Sequence, residues 1–484
     1  MGFKVNIIGA GLAGLSAGIC LQEKQIQTEI FELAPWAGGM CTAWERDGYR
    51  FDGCIHWMVG TRPGDPIYQL YREVGALEES TQIYNASFIQ MELNGVMYDI
   101  PLEVTSFKAF LMKLAHGDED KIEAFIKDIQ AMMRSQLPLG MPENIQEAAG
   151  MALHSRGFLM LAKRHGGKTV AEYLDGFKSD TIRQLLLRLM PSKFSAMGLI
   201  MMLGTRMSGN AGYPLGGALE VTQRMVNKYK ALGGKLNFNS RVDEIVVENG
   251  TAKGVRVKGK LYPADCVLAA CDAYDTLKHM LGGKYPHPQL DDMLRDAPLF
   301  DPLALVSFGL DKRFDIPFSV TYECPEGIEV APGKKAHSLS LRPFDFDPAA
   351  APKGKSSVMV LLGAPLDYWQ NLRHDNMEEY KKQKQRLADD VAQALEKRIP
   401  GFKTAICVTD VSTPATYVHL TNVYRGSYEG FAPIPSLMTR TIQKTIPGLK
   451  KLYLCGQWTM AGGGICTAVH DGKSIANKIA KESK

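Results

Sequence analysis

Val5-Asn6-Ile7-Ile8-Gly9-Ala10-Gly11-Leu12-Ala13-Gly14, near the start of the chain, decides its fold class. Val5, Ile7 and Ile8 read as a short apolar strand, Leu15 to Lys24 as a helix, and Thr28-Glu29-Ile30-Phe31-Glu32 as a second strand, which together make a βαβ unit. Each glycine of the connecting turn has its own reason. Gly9 permits the tight turn, Gly11 lets backbone approach a pyrophosphate, and Gly14 allows close helix-strand packing. The helix N-terminus then faces the phosphates. Glu32 stands 18 residues past Gly14, at the end of the second strand, where a carboxylate accepts hydrogen bonds from an adenosine ribose. Strand, turn, helix, strand and acid agree on a dinucleotide site.

Working outward, 484 residues at about 150 per domain suggest two to three domains. A 45% hydrophobic share against 22% charged residues excludes a disordered or fibrous chain. The net charge of +4 is spread without a long basic block, which argues against nucleic acid as a partner. No run reaches the roughly 18 apolar residues of a membrane span, and residues 1–20 lack a secretory signal's order, so we expect a cytoplasmic protein. Nine scattered cysteines without a CxxC suggest neither a disulfide framework nor a metal cluster, and no metal ligand set is expected.

Beyond the βαβ unit, residues 76–214 are rich in helical patterns, including Phe107 to Leu114, Lys121 to Met133 and the apolar run Ser195 to Gly204. Alternating elements return after Tyr213-Pro214-Leu215-Gly216-Gly217: a helix over Val221 to Leu232, then strands at Lys235 to Asn239, Val242 to Glu248, Gly254 to Val257 and Val267 to Ala270. A strand-rich stretch follows (Ala304 to Leu310, His337 to Arg342, Ser357 to Gly363), then the charged helix Met377 to Arg398. The chain closes with the strand Leu452 to Cys455, a glycine turn and a helix from about Cys466.

Gly38-Gly39-Met40-Cys41 follows Glu32 after a short loop, and Gly48-Tyr49-Arg50-Phe51-Asp52 comes next. Here the chain resembles the FAD-containing amine oxidase and phytoene desaturase superfamily. The likeness is strongest to the phytoene dehydrogenase-related branch of carotenoid desaturases, carotenoid isomerases and retinol saturases. It is carried by Gly38 to Cys41, Gly48 to Gly60, Tyr213 to Leu219, Arg241 to Ile245 and Leu454 to Gly472. The resemblance implies that Gly38, Gly39 and Met40 extend contact with FAD and that Val242 meets the adenine through its backbone. It further implies that Gly456 and Gln457 meet the ribityl and pyrophosphate, and that Gly464 and Ile465 open a helix aimed at the flavin pyrimidine edge. Gln457 departs from the family's usual acid, although an amide still hydrogen-bonds a ribityl hydroxyl. No cysteine stands in Val423 to Tyr428, where some amine oxidases attach flavin, so FAD is expected to be non-covalent.

The expected fold is therefore α/β, a Rossmann-like FAD-binding domain with a discontinuous α+β substrate domain. Residues 1–75, 215–300 and 421–484 would form the FAD domain; 76–214 would form a helical cap and 301–420 the substrate-domain sheet. A second dinucleotide fingerprint is absent, so electrons come from substrate or from an external donor or acceptor.

Catalytic candidates are His56, just past Phe51-Asp52-Gly53, and Tyr428, Glu429 and Trp458, near the closing glycine turn. Tyr428 with Trp458 would alternatively make an aromatic cage for an amine. Met132, Met133 and the methionines of residues 194–203 suit either a cavity for a long apolar ligand or an ordinary core. The expected function is redox chemistry at a carbon-carbon bond of an apolar polyene, isoprenoid-like or lipid substrate. Amine oxidation to an imine, with hydrogen peroxide formed on reoxidation, is the nearest alternative, and a non-catalytic flavin-binding scaffold a third. Peripheral membrane contact stays open because polyisoprenoids reside in bilayers, although no strongly basic amphipathic helix supports it.

Overall fold

In the computed structural model, which describes residues 2–138, 140, 145–440 and 442–483, the opening run forms the strand Lys4–Ile8 and the helix Leu12–Glu23. That strand is central in a five-stranded parallel sheet. The order across the sheet is Lys235–Asn237, Gln27–Phe31, Lys4–Ile8, Cys266–Ala269 and Leu452–Leu454. Strands covered on both faces read as continuous apolar runs, and Val5 and Ile7 are fully buried.

The helix Leu12–Glu23 is enclosed along ten of its twelve residues, because small side chains let neighbours come close. A Cβ on Gly472, in the closing helix Ile465–Glu482, would sit 2.3 Å from the Ala13 carbonyl oxygen. Ser16 Oγ donates to the Val469 carbonyl at 2.7 Å, locking the two helices together.

A mixed seven-stranded sheet runs in the order Ile406–Ser412, Leu303–Leu310, Ser356–Gly363, Lys334–Pro343, Val320–Ala331, Phe88–Leu93 and Val96–Pro101. One face carries the helix Met377–Glu396, which buries Leu387, Val391 and Leu395. The helices from Val104–Lys113 to Ala196–Met207 form a cap. Its helices Glu119–Met133 and Ala196–Met207 meet closely at Gly204, where a Cβ would lie 2.6 Å from Met132 Cγ.

Strands of the large sheet that the sequence expectations lacked include a hairpin and the strand Val320–Ala331. Phe88–Leu93 and Val96–Pro101 form a hairpin inside the stretch read as helical. Its turn is Asn94-Gly95, both with positive φ (53° and 75°), the conformation a two-residue hairpin of matching twist requires. The strand Val320–Ala331 escaped notice because Pro325 and Gly327 interrupt its pattern; the pairing register shifts between Glu323 and Ile328 to accommodate them. No helix of the described residues is long and apolar enough to cross a membrane.

Candidate active site

The turn Gly9–Gly14 joins the second glycine pair directly. Gly38 N donates to the Ala10 carbonyl at 2.9 Å, and Gly11 and Gly38 form a parallel bridge. Glu32 is buried and holds the turn's start and its own loop: Oε2 accepts from Ala10 N at 2.7 Å and Oε1 from Ala34 N at 2.8 Å. Burial raises its carboxyl pKa against the lowering effect of those backbone donors.

The turn's glycines separate into two kinds. A Cβ on Gly14 would stand 2.1 Å from the Gly9 carbonyl oxygen, so the fold itself demands glycine there. At Gly11, φ is −68° and the closest atom to such a Cβ is the Gly38 carbonyl oxygen at 3.9 Å, so nothing in the protein demands glycine. The space beside Gly11 is a cradle that a side chain would fill. It opens at a helix N-terminus with no side-chain cap, the arrangement that accepts a pyrophosphate.

Gly464 repeats this at the closing helix, with φ 97°, no capping side chain and no atom within 4 Å of its Cβ position. Gly456 lies next to the first helix, its Cβ position 3.6 Å from Ala13 Cβ. Its N–H donates to Asp471 Oδ2 at 2.8 Å, while Gln457 Nε2 reaches the Ser427 carbonyl at 3.5 Å. Met40 Sδ accepts from Thr421 Oγ1 at 3.5 Å, and Val242 is buried in one cluster with Ile8 and Phe31. The groups resemblance assigned to a flavin thus come from segments remote in sequence, and the two open helix N-termini with their side-chain-free spaces fit FAD.

Above this floor, the loop after the strand Tyr49–Asp52 is positioned by Asp52, a residue the sequence reading left without a role. Its Oδ1 accepts from Cys54 N at 2.9 Å and Ile55 N at 2.8 Å; its Oδ2 accepts from Tyr213 Oη at 3.0 Å and Ala218 N at 2.8 Å. One buried carboxylate therefore shapes the loop and caps the helix Gly217–Ala231.

Glu429 lies deep in the molecule yet keeps part of its surface accessible, and no hydrogen bond or ion pair engages its carboxyl among the described residues. Burial alone pushes that carboxyl up to about 7. Its backbone touches the closing turn, where a Gly463 Cβ would be 2.7 Å from the Glu429 carbonyl oxygen. Cys54, Cys466 and Tyr428 are near enough to feel its charge; contact with Cys41 and then burial raise Cys54, and burial raises the other two.

His56 has its Nε2 covered and without a partner. Burial, with Arg342 and Arg206 next to it, holds the imidazole well below its ordinary pKa, so it is neutral at pH 7. Tyr428 packs its ring 5.2 Å from that of Phe300. Trp458 is 2% exposed, edge-on to Phe431 at 5.2 Å and near Tyr424 at 6.1 Å. No ring contact joins Tyr428 to Trp458 among the described residues, and enclosure leaves Trp458 without a face to offer a ligand. The apolar run at 194–203 is mostly core, since Met197, Leu199, Ile200, Met202 and Leu203 are buried; Met132 is buried too.

Comparison with known proteins decides the family. A model described as flavin containing amine oxidoreductase matches residues 12–480. The chain belongs to that family. It is 24% identical to a phytoene desaturase (lycopene-forming) of Pseudescherichia vulneris over 99% of both chains. It is 22% identical to prolycopene isomerase 1, chloroplastic, of an Oncidium hybrid cultivar, over 99% of this chain and 84% of the relative. Among solved structures, an oxidoreductase from Methanosarcina mazei superposes with a TM-score of 0.61 at 18% identity, covering 96% of this chain and 99% of its own. Cyclohexylamine oxidase from Brevibacterium oxydans does so at 0.59 and 15%, covering 100% and 99%. These two show the fold: a Rossmann-like flavin domain with a discontinuous α+β substrate domain. The protein is a flavin-dependent oxidoreductase.

Proposed function

We propose that this oxidoreductase acts on carbon-carbon bonds of an apolar polyene, isoprenoid-like or lipid substrate, by desaturation, saturation or isomerisation. The observation that carries the reading is Glu429, deep in the molecule yet partly accessible and without a partner for its carboxyl among the described residues, on the segment that touches the closing glycine turn. The similarity to phytoene desaturases and prolycopene isomerases supports it. FAD, when bound, supplies a hydride acceptor or donor at N5.

The turn Gly9–Gly14 receives the pyrophosphate, Gly11 giving the close approach while Gly9 shapes the turn and Gly14 the packing behind it; Glu32 takes the ribose, Val242 the adenine, and Gly38, Gly39, Met40, Gly456, Gln457, Gly464 and Ile465 the rest of the cofactor. We read the attachment as non-covalent, because the stretch Val423 to Tyr428 holds no cysteine. The domain division at residues 75, 214, 300 and 420 is part of the same proposal.

Glu429 takes or gives a proton at the substrate carbon, for which a carboxyl poised near neutrality is suited. Neutral His56 and Tyr428 orient the chain of the substrate and exclude water. The enclosure of Trp458 counts against an amine cage. The test is turnover: protein loaded with FAD and supplied in separate runs with hydrocarbon and carboxylate-bearing polyenes in detergent, plus a quinone acceptor, should form more conjugated products from a polyene, read by their longer-wavelength absorption. Peroxide release from amines, with the polyene untouched, would overturn the reading.

A further inference from the structure

Two deep arginines have no acid paired with them among the described residues. Arg342 comes from the strand Lys334–Pro343 of the large sheet, and Arg206 from the last turn of the cap helix Ala196–Met207. Arg342 Nε and Nη1 are covered and unpartnered. Arg206 makes no hydrogen bond or ion pair among the described residues; its guanidinium lies over the rings of Trp57 at 5.3 Å and Phe318 at 5.9 Å. Each side chain keeps some accessible surface, although both are deep enough that burial lowers their pKa, and Arg206 lowers that of Arg342 further.

A buried cation without a partner is costly, and two that repel one another more so. Folded proteins pair such charges. Here Asp52 is committed to its loop and helix, no charge of Glu429 acts on either arginine, His56 is neutral, and the pyrophosphate has its own place at the turn Gly9–Gly14. The missing charge is therefore the ligand's.

We propose that Arg342 and Arg206 clamp a carboxylate of the substrate, which is accordingly a conjugated polyene acid and not a hydrocarbon. Arg342, partly accessible as a residue, presents its unpaired guanidinium to the carboxylate, a planar donor group suited to that partner. Arg206, partly satisfied by its rings, adds the second charge. The apolar tail has a wall to lie on: Phe318 touches Tyr84 at 5.5 Å, and Tyr84 stacks on Phe346 at 4.2 Å. His56, beside the arginines, and Cys54, beside Glu429, sit on one loop, so a clamped acid extends its chain toward the flavin side. This inference rests on the polyene reading above and specifies its substrate.

The test is a fluorescence titration of the FAD-loaded protein with cis-parinaric acid, a conjugated C18 tetraene, and with its methyl ester, which has the same tail and no charge. The acid should bind about tenfold tighter or more, as charge-assisted hydrogen bonds imply. Arg342→Met should abolish that preference by weakening the acid alone, and Arg342→Lys should restore only part of it. Equal affinity of acid and ester for the unmodified protein, binding of neither, or equal loss of both in Arg342→Met would overturn the clamp. The acid-ester comparison needs no variant, and loss of an unpaired buried charge should leave the unfolding midpoint of Arg342→Met unchanged or raised. An arginine-dependent acid preference without any polyene-driven flavin change would keep the clamp and remove the redox proposal; flavin reduction by polyenes without acid preference would do the reverse.

Discussion

Gly11 and Gly14 predict opposite failures from the same kind of substitution. Gly11→Val should abolish flavin binding while the flavin-free protein keeps its far-ultraviolet circular dichroism and its unfolding midpoint, since the protein leaves room for a side chain there. Gly14→Ala should instead destabilise the fold by about 1 to 3 kcal/mol, because the methyl meets a backbone oxygen that cannot move cheaply. Retained flavin in Gly11→Val would remove the pyrophosphate from this turn. Glu429 makes a pH prediction. In the desaturation direction the ionised carboxylate is the active form, so flavin reduction by substrate should quicken as pH rises through about 7. Its neighbours Cys54, Cys466 and Tyr428 stay protonated there, so Glu429→Gln should flatten the profile and slow the step by about 100-fold. An unaltered profile would leave Glu429 a structural group. The sign for stability is opposite. Between the ordinary 4.5 and about 7 the unfolded chain has lost a proton that the folded one keeps, so this residue's contribution falls as pH rises across that window.

At the scale of elements, Asp52 shows what spacing does not reveal. It stands in a recognisable segment, yet two of its four hydrogen bonds reach a strand and a helix about 160 residues away in sequence, a connection that only the folded topology makes. Asp52→Ala should cost about 3 kcal/mol, measured by denaturant midpoint, and should release flavin as the loop Gly53–Trp57 loosens. A midpoint shift of a few tenths would contradict its role as the shared cap. Arg342 was illegible for a related reason. Leu339 and Leu341 are buried on one face of its strand, so Ser340 and Arg342 read as solvent-facing until the cap roofs them over. The hairpin was legible in principle: Asn94-Gly95 between apolar alternations is a turn signal, outweighed by the helical patterns on either side. By contrast the first strand, turn and helix were readable because their glycines, apolar run and acid all act within 32 residues.

For the whole molecule, the consequence is that flavin gathers distant parts of the chain. The cradle takes its turn from residues 9–14, its second glycine pair from 38–39, and its closing turns from 456–465, which follow strands of one parallel sheet. Removing FAD should therefore lower the apparent unfolding midpoint, and free FAD at 1,000 times its Kd should restore about 4 kcal/mol. A midpoint indifferent to flavin would mean that the segments hold together without it. The central claim, a flavin reached by polyenes, is tested most directly by anaerobic spectroscopy of the oxidised, FAD-loaded protein mixed in separate runs with polyenes and with amines. The account predicts that a polyene bleaches the visible flavin band, or perturbs it while its own double bonds rearrange, and that amines leave it unchanged; a flavin bleached by amines and inert to every polyene would contradict it.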